Sequence, residues 1–282
     1  MNILGHNVTL GMSISKDTIR DEYRMRAIYD AGMRAAEICL FDQRESDAQA
    51  RRTGGEIYDA ICAAGLRPWS VHLPTGGKKF TIDSLNEEYR AQSVENMISV
   101  LRMAASWGVN VAVVHGCYIQ TDDPALLEAC TDACARSLTE LRRNSGPVRI
   151  AVENMPRTPL GHSTEIKKTV VHCDGLCFDV NHLLLQEHSE FLDDLEQFVI
   201  TTHLSDYDKG GPIGERHWYP GHAGGLVPWR EIFERLIGGG YRGPWVFEAG
   251  YSDHVTQPRH MVDSFINAIE QKHSTQTKEE TE

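Results

Sequence analysis

The feature that most constrains this chain is a regular alternation between short apolar runs and longer stretches with helical spacing. The runs are rich in β-branched residues, and several of the stretches between them end at Gly, a frequent helix stop. The runs begin roughly 25–40 residues apart, which is the spacing of strand–helix pairs in an α/β barrel. The eight runs cover residues 7–14, 35–41, 67–74, 110–117, 149–156, 176–183, 199–206 and 243–250.

This alternation predicts the α/β fold class and, within it, a single (β/α)8 TIM barrel. An open, doubly wound sheet is the alternative, but it usually has fewer strands and a Gly-rich phosphate turn after its first strand. The stretch "GMSISKD" at that place is not such a turn. We therefore predict one barrel domain over residues 1–272 and a disordered polar tail over residues 273–282, which contain no apolar residue.

The composition limits the compartment and the partners. No apolar run approaches the roughly 20 residues of a membrane helix, and "MNILGHNVTLGMSI" lacks the features of a signal peptide. Seven cysteines without framework spacing suit a reducing compartment, so we expect a cytoplasmic protein without a membrane partner. The net charge of −12 argues against nucleic acid as the main partner. The sequence leaves the oligomeric state open, and a homo-oligomer is one of the states it allows.

Polar residues gather where the predicted strands end, which is where enzymes of this fold carry their active sites. The polar residues late in the runs are His72, His115, Glu153, Asp179, His203 and Glu248. Side chains alternate along a strand, so an inward Glu153 places Ile150 and Val152 towards the helices. The same reasoning turns Glu248 inward. His182 follows Asp179 at an odd spacing, so we expect it in the next loop, turned back over the site.

The stretch "CFDVNHL" suggests what these residues bind, because an unpaired carboxylate at the end of an apolar strand is costly to desolvate. Four consecutive strands would bring together Glu153, Asp179, His203 and Glu248. Three carboxylates held together repel one another unless a cation neutralises them. This oxygen-rich set predicts one divalent metal ion, with Mn²⁺ as first choice and Mg²⁺, Co²⁺ or Zn²⁺ as alternatives.

Seven motifs give the sequence a family resemblance. In chain order, from about residue 67 to 250, they are "SVHLP", "VVHG", "VENMP", "CFDVNH", "THLSD", "ERHWYPGHAGG" and "VFE". The chain resembles the xylose-isomerase-like TIM barrels, which comprise sugar isomerases and epimerases, inosose-processing enzymes and endonuclease IV. The resemblance implies the family's single-metal site at Glu153, Asp179, His203 and Glu248. It also implies that Glu153 and Glu248 are the acid–base pair, and that His182 and Arg216 contact substrate oxygens.

The chemistry that fits this resemblance is isomerisation or epimerisation of a sugar through an enediolate. One carboxylate removes the proton α to a carbonyl, another returns a proton, and a divalent ion stabilises the anion. We predict a small carbohydrate substrate, a ketose, an oxo-sugar or an inosose, and prefer an unphosphorylated one because no phosphate cradle stands out. An enediolate beside a leaving group expels it. A lyase or dehydratase acting on a 3-oxo-sugar or inosose is therefore the runner-up.

The segment after the seventh predicted strand, residues 207–229, is expected to cover the site. It holds nine glycines and prolines in 23 residues, which is too mixed for a plain connector. We predict that Arg216 fixes a charged oxygen of the substrate and that Trp218 covers a sugar face. The alternative is a rigid surface loop with Trp218 buried for packing. The remaining predicted substrate-binding residues are His72, His115 and His217.

Two further functions stay open from the sequence. The resemblance to endonuclease IV gives its three-zinc site counterparts at His72, His115, His182 and His217. The motif "ERH" also resembles the "DRH" of that enzyme, with Glu215 in place of Asp. An AP endonuclease is therefore an alternative, although the chain lacks evident basic loops for gripping DNA. A non-catalytic sugar-binding barrel is the other alternative, but it would not need two carboxylates that share a metal.

Overall fold

The computed structural model confirms the predicted fold class: the strands close into a single parallel eight-stranded barrel. The structure describes residues 1–40, 47–76, 79–116, 121, 123–156, 159–183, 186–207, 217–248 and 257–271. The predicted tail, residues 273–282, and the predicted domain boundary at residue 272 lie outside the described residues.

Seven barrel strands lie within their predicted apolar runs, and β6 begins at Gly175, one residue before its run. Each strand pairs in parallel with the next one along the chain, and the last closes on the first. In chain order the strands are β1 Leu10–Ile14, β2 Ala35–Cys39, β3 Arg67–His72, β4 Val111–His115, β5 Arg149–Glu153, β6 Gly175–Asp179, β7 Val199–Leu204 and β8 Trp245–Phe247.

An α-helix follows each strand. Asp21, Asn86 and Asp123 begin three of these helices, because each side chain accepts a hydrogen bond from a backbone N–H in the first turn. The helices are α1 Glu22–Asp30, α2 Asp47–Ala63, α3 Glu87–Ser106, α4 Pro124–Asn144, α5 Ser163–Val170, α6 His188–Leu195, α7 Trp229–Gly238 and α8 Pro258–Glu270. Short 3₁₀ turns cover Thr18–Arg20, Pro159–Gly161 and Glu196–Phe198. Within the described ranges, none of the helices is both long and apolar enough to span a bilayer.

The N-terminus differs from the prediction of a strand from residue 7. In the structure Asn2–Ile3 pairs with His6–Asn7 as a short antiparallel hairpin. Leu4 and Gly5 adopt positive φ in the hairpin turn. Asn7, the first residue of the predicted run, belongs to the hairpin, and the barrel strand begins only at Leu10.

Side chains on the strands divide into two apolar layers. Residues such as Ile150 and Val152 lie in the large layer between strands and helices. A smaller layer fills the barrel interior and consists of Ala35, Trp69, Val111, Val113, Ala151, Cys177 and Val246. Because Ala151 faces the interior, Glu153, two residues later, does so too, as the sequence alternation predicts.

Strand β3 departs from the alternation at a register shift. The shift against β2 lies between Ala36 and Glu37. Trp69 belongs to the inner layer, and the next residue, Ser70, also faces inward, where its hydroxyl donates to Glu37. A β-bulge of this kind re-aims the side chains that follow it. His72 therefore faces the interior, whereas strict alternation from Trp69 would turn it outward.

Strand β7 has a matching shift against β6. Ile200 packs on the inner layer, and the next residue, Thr201, accepts a hydrogen bond at 3.2 Å from the indole Nε1 of the inward-facing Trp69. Two successive residues again face inward. His203 is consequently directed into the barrel, so both departures from the alternation direct a histidine towards the same end of the barrel.

Candidate active site

Four of the predicted site residues meet at the carboxyl end of the barrel. Glu153 and Asp179 end β5 and β6, His203 lies near the end of β7, and Glu248 directly follows β8. One ligand atom from each residue lies within 4.8 Å of the other three. Nδ1 of His203 is 3.2 Å from Oε1 of Glu153 and 3.2 Å from Oε2 of Glu248. The same nitrogen is 4.0 Å from Oδ2 of Asp179.

The register of the sheet staggers these strand ends, because the partner of Glu153 is Cys177 and the partner of His203 on β8 is Val246. Asp179 and His203 are direct partners across β6 and β7. The backbone N–H of Glu248 donates to the carbonyl oxygen of Leu204 at 3.0 Å, which extends the pairing of β8 with β7 by one residue. Val246 faces the inner layer, so Glu248, two residues later, is directed to the same side.

Burial favours a higher pKa for all three carboxylates, but the direction of the resulting pKa shift differs among them. For Asp179, burial and then the charges of Glu248 and Glu153 raise the pKa well above the ordinary value. For Glu153, burial also favours a higher pKa, but the charges of His203 and His115 outweigh it and hold the pKa well below the ordinary value. For Glu248, His203 outweighs burial in the same way and lowers the pKa to about 2. The cluster therefore keeps negative charge that one imidazole offsets only in part.

Two oxygens of this cluster favour a cation. Among the described residues, Oδ2 of Asp179 and Oε2 of Glu248 are buried without a hydrogen-bond partner. A buried carboxylate oxygen without a partner raises the free energy of the folded state. Carboxylate oxygens with one imidazole nitrogen are ligands that Mn²⁺, Mg²⁺, Co²⁺ and Zn²⁺ accept. The residues present therefore fit a divalent ion.

A second set of candidate ligands adjoins the first and shares Glu153. Nε2 of His72 lies 3.0 Å from Nε2 of His115 and 3.2 Å from Oε2 of Glu153. Nε2 of His115 is 3.1 Å from the same oxygen. Nδ1 of His72 is 3.0 Å from the carbonyl oxygen of Leu73, and it carries the proton because a carbonyl can only accept. The structure thus places His72 and His115, which were predicted to bind substrate, against the carboxylate of Glu153.

His182 turns back over the cluster from the loop after β6. Its Nδ1 donates to the carbonyl oxygen of Asn154 at 2.9 Å and lies 3.5 Å from Oδ2 of Asp179. Burial lowers the pKa of His182 to about 4, so the ring is neutral near pH 7 and its Nε2 can accept a hydrogen bond. The ring of His217 lies edge-on to it with centroids 5.6 Å apart. Nδ1 of His217 is 3.3 Å from the carbonyl oxygen of Glu248.

Part of the segment after β7 cannot be compared with its prediction. Arg216, predicted to bind substrate, and Glu215, compared above with a zinc ligand, lie outside the described residues. Trp218 is described: its backbone pairs with Asp206, and its ring stacks on His222 with centroids 4.5 Å apart. His222 covers one indole face, which leaves only the other face to cover a sugar.

Sequence reasoning missed two buried polar residues beside the site. Asn154 joins β5 to β6, because its Nδ2 donates to the carbonyl oxygen of Asp179 at 2.9 Å and its Oδ1 accepts from the Asp179 N–H at 2.8 Å. Glu37 lies on β2 inside the barrel, with Oε1 3.0 Å from Nε2 of His203. The signal was a polar residue within or directly after an apolar run, in "VENMP" and "AAEICLF".

Comparisons with solved structures show where similar folds occur. The 3-keto-D-glucoside 4-epimerase from E. coli superposes with a TM-score of 0.69 at 18% identity, over 93% of this chain and 99% of that one. A D-tagatose 3-epimerase-like protein gives 0.72 at 19% identity, over 93% and 98%. A xylose isomerase-like TIM barrel protein from Mycobacterium smegmatis in complex with magnesium gives 0.62 at 15% identity, over 94% and 98%. At these identities the likeness concerns the fold.

The comparison of sequences gives the family. No curated protein matches the chain. The family model described as xylose isomerase-like TIM barrel matches residues 25–269. This range includes the barrel strands β2 to β8 and the helices α1 to α8, except for the start of α1 and the last residue of α8. This match agrees with the closed barrel and with the motifs from which the resemblance was inferred. The chain belongs to the xylose isomerase-like TIM barrel family.

Proposed function

We propose that the protein is a divalent-metal-dependent isomerase or epimerase of a small carbohydrate. The observation that carries the proposal is the convergence of two glutamates from non-adjacent strands. Glu153 comes from β5 and Glu248 follows β8, yet each lies 3.2 Å from Nδ1 of His203. Two carboxylates that approach one point from two sides suit a reaction that removes a proton at one place and returns it at another.

In the proposed reaction the two glutamates move the proton. Glu248 keeps 12% of its side chain exposed while Glu153 keeps 1%, so we assign the first proton removal to Glu248 and the return to Glu153. Near pH 7 His182 is neutral, and its Nε2 can accept a hydrogen bond from a substrate hydroxyl. A divalent ion held by Glu153, Asp179, His203 and Glu248 would supply stabilisation of the negative charge that develops on the substrate oxygens.

The substrate class follows from the chemistry and from the relatives. Proton removal beside a carbonyl requires a ketose, an oxo-sugar or an inosose. The names of two structures with the same fold, a 3-keto-D-glucoside 4-epimerase and a D-tagatose 3-epimerase-like protein, support the first two classes. The magnesium complex of a third supports a divalent ion in this fold. We propose an unphosphorylated substrate from these classes.

Hydrogen exchange in D₂O tests the proposal directly. The Mn²⁺-loaded protein is incubated with a panel of ketoses, 3-oxo-glucosides and inososes, and products are followed by NMR and mass spectrometry. We expect a deuterium at the carbon beside the carbonyl, without release of a fragment. Glu248→Gln should abolish the exchange. Glu95→Gln, the same change at an exposed position on α3, should leave it intact and serves as the matched control.

The other outcomes separate the alternatives. Exchange or proton loss together with release of water or an aglycone and an unsaturated product would make the protein a lyase or dehydratase instead. No exchange with any member of the panel, in a protein that binds the ion, would contradict sugar isomerisation. Equal exchange by Glu248→Gln and the wild type would remove Glu248 from the reaction.

A phosphodiester hydrolase is the second candidate, and the second ligand set favours it. His72, His115 and Glu153 place three donor atoms within 3.0–3.2 Å of one another, next to the first set. A nuclease would bind more than one metal ion per chain and would nick abasic-site DNA with strong salt dependence. The net charge of −12 opposes binding to DNA, so we rank this function below sugar chemistry.

A further inference from the structure

Glu37 is a buried carboxylate that the proposed reaction does not use. It lies in the middle of β2 and is 0% exposed. The hydroxyl of Ser13 donates to its Oε1 at 3.2 Å, and the hydroxyl of Ser70 donates to its Oε2 at 2.8 Å. The third neighbour is His203, whose Nε2 lies 3.0 Å from Oε1. A charge buried this deeply is tolerated only with compensating partners.

The neighbours of His203 distinguish its two ring nitrogens. Nδ1 is hydrogen-bonded to Oε1 of Glu153 at 3.2 Å and lies 3.2 Å from Oε2 of Glu248, whereas Nε2 faces Glu37. Nε2 has no hydrogen-bond partner within the described part of the chain, so its contact with Oε1 of Glu37 is electrostatic. A neutral imidazole carries one N–H and one lone pair. A divalent ion beside Nδ1 would neutralise Glu153 and Glu248, and the negative charge of Glu37 would then favour the form with hydrogen on Nε2 and the lone pair on Nδ1.

We infer that Glu37 is a positioning residue, which keeps the hydrogen of His203 on Nε2 and thereby presents the lone pair of Nδ1 to the divalent ion. The inference rests on the proposed function, because it requires His203 to be a metal ligand. A carboxylate behind a ligating histidine orients the ring and raises its basicity as a ligand.

The alternative is that Glu37 only satisfies the two serines inside the barrel. Neutral glutamine could do that, because its amide oxygen and nitrogen can bond to the hydroxyls of Ser13 and Ser70. Neither serine requires the negative charge, whereas the imidazole of His203 lies 3.0 Å from it. A change that removes the charge and keeps the shape therefore separates the two roles.

The experiment uses Glu37→Gln in the full-length protein, with Co²⁺ as the probe. Metal-stripped wild type and variant are titrated with Co²⁺ by calorimetry, and the visible absorption spectrum reports the ligand geometry around the ion. We expect the dissociation constant for Co²⁺ to rise about 10–100-fold in the variant, with an altered spectrum. Circular dichroism should show that the metal-free variant is folded, so that weaker binding reports on the site and not on unfolding.

Ser70→Ala is the matched control, since it removes one hydrogen bond to Glu37 but keeps the charge beside His203. It should lower the melting temperature and leave Co²⁺ affinity close to that of the wild type. Wild-type affinity and spectrum in Glu37→Gln would overturn the inference alone. A wild type that binds no Co²⁺ would overturn the proposed function with it. Should Glu37→Gln fail to fold, Glu37→Met replaces it, because it also removes the charge at a similar side-chain size: weaker Co²⁺ binding supports the inference, and wild-type binding contradicts it.

Discussion

Asp206, the last residue of "THLSD", holds the segment after β7 through five N–H groups. Its side chain is buried, with 1% of the residue exposed. The two carboxylate oxygens accept hydrogen bonds of 2.7–3.2 Å from the backbone N–H groups of Tyr207, Gly221, Leu226 and Val227 and from the indole of Trp229. Gly225 packs so closely that an added Cβ would collide with the carboxylate. Asp206→Ala removes all five acceptor contacts at once.

The loss of stability in Asp206→Ala depends on which of the five N–H donors can find another hydrogen-bond partner. The N–H of Leu226 keeps the carbonyl oxygen of Tyr207 as a partner at 2.9 Å, whereas Val227 and Trp229 are only 7% and 4% exposed. A buried donor left without a partner costs about 1–3 kcal/mol, and two such donors cost about 2–6 kcal/mol. For a chain of this size 1 kcal/mol corresponds to about 2–4 °C, so Asp206→Ala should lower the melting temperature by roughly 4–24 °C.

Thermal unfolding followed by circular dichroism measures this shift. Asp206→Asn keeps one acceptor oxygen and should melt between the wild type and Asp206→Ala. The control is Asp132→Ala, which removes an exposed aspartate from α4 and should change the free energy of unfolding by less than about 0.5 kcal/mol. Activity should fall with Asp206→Ala as well, because the lost carboxylate holds the N–H of Gly221, which lies in the same segment as His217. A melting temperature within about 2 °C of the wild type would refute the reasoning.

Three further predictions concern the metal, the acid–base pair and pH. Asp179→Asn should lose activity together with the bound divalent ion, which elemental analysis measures. EDTA should abolish activity in the wild type, and full turnover without metal would contradict the metal site. Glu153→Gln and Glu248→Gln should each lower turnover by about 10²–10⁴-fold, and near-wild-type rates would leave both as structural groups. The pKa of His182 in the folded protein is about 4, below the ordinary value of 6.5. The neutral His182 ring therefore contributes fully to stability above pH 6.5, and this contribution is lost as the pH falls towards 4. Urea denaturation should show a loss of up to about 3 kcal/mol over this range, and His182→Gln should lose less than the wild type.

The barrel and the four-residue cluster were predictable because both depend on strong, periodic signals. Each strand is an apolar run, and Glu153, Asp179 and Glu248, which stand at the ends of β5 and β6 and directly after β8, meet at the cluster. Glu37 was missed because a lone acid in "AAEICLF" identifies no partner: its contact with His203 spans 166 residues of sequence. Asn154 was missed for a similar reason, since its bonds to Asp179 become visible only when β5 and β6 are paired.

The bulges in β3 and β7 make the site depend on the backbone geometry of these strands as well as on their composition. If β3 were a regular strand with the same residues, strict alternation from Trp69 would turn His72 towards the helices. A regular β7 would do the same to His203, counted from Ile200. A designer who transfers this cluster to another barrel must therefore transfer the bulge of each strand together with the histidine that follows it.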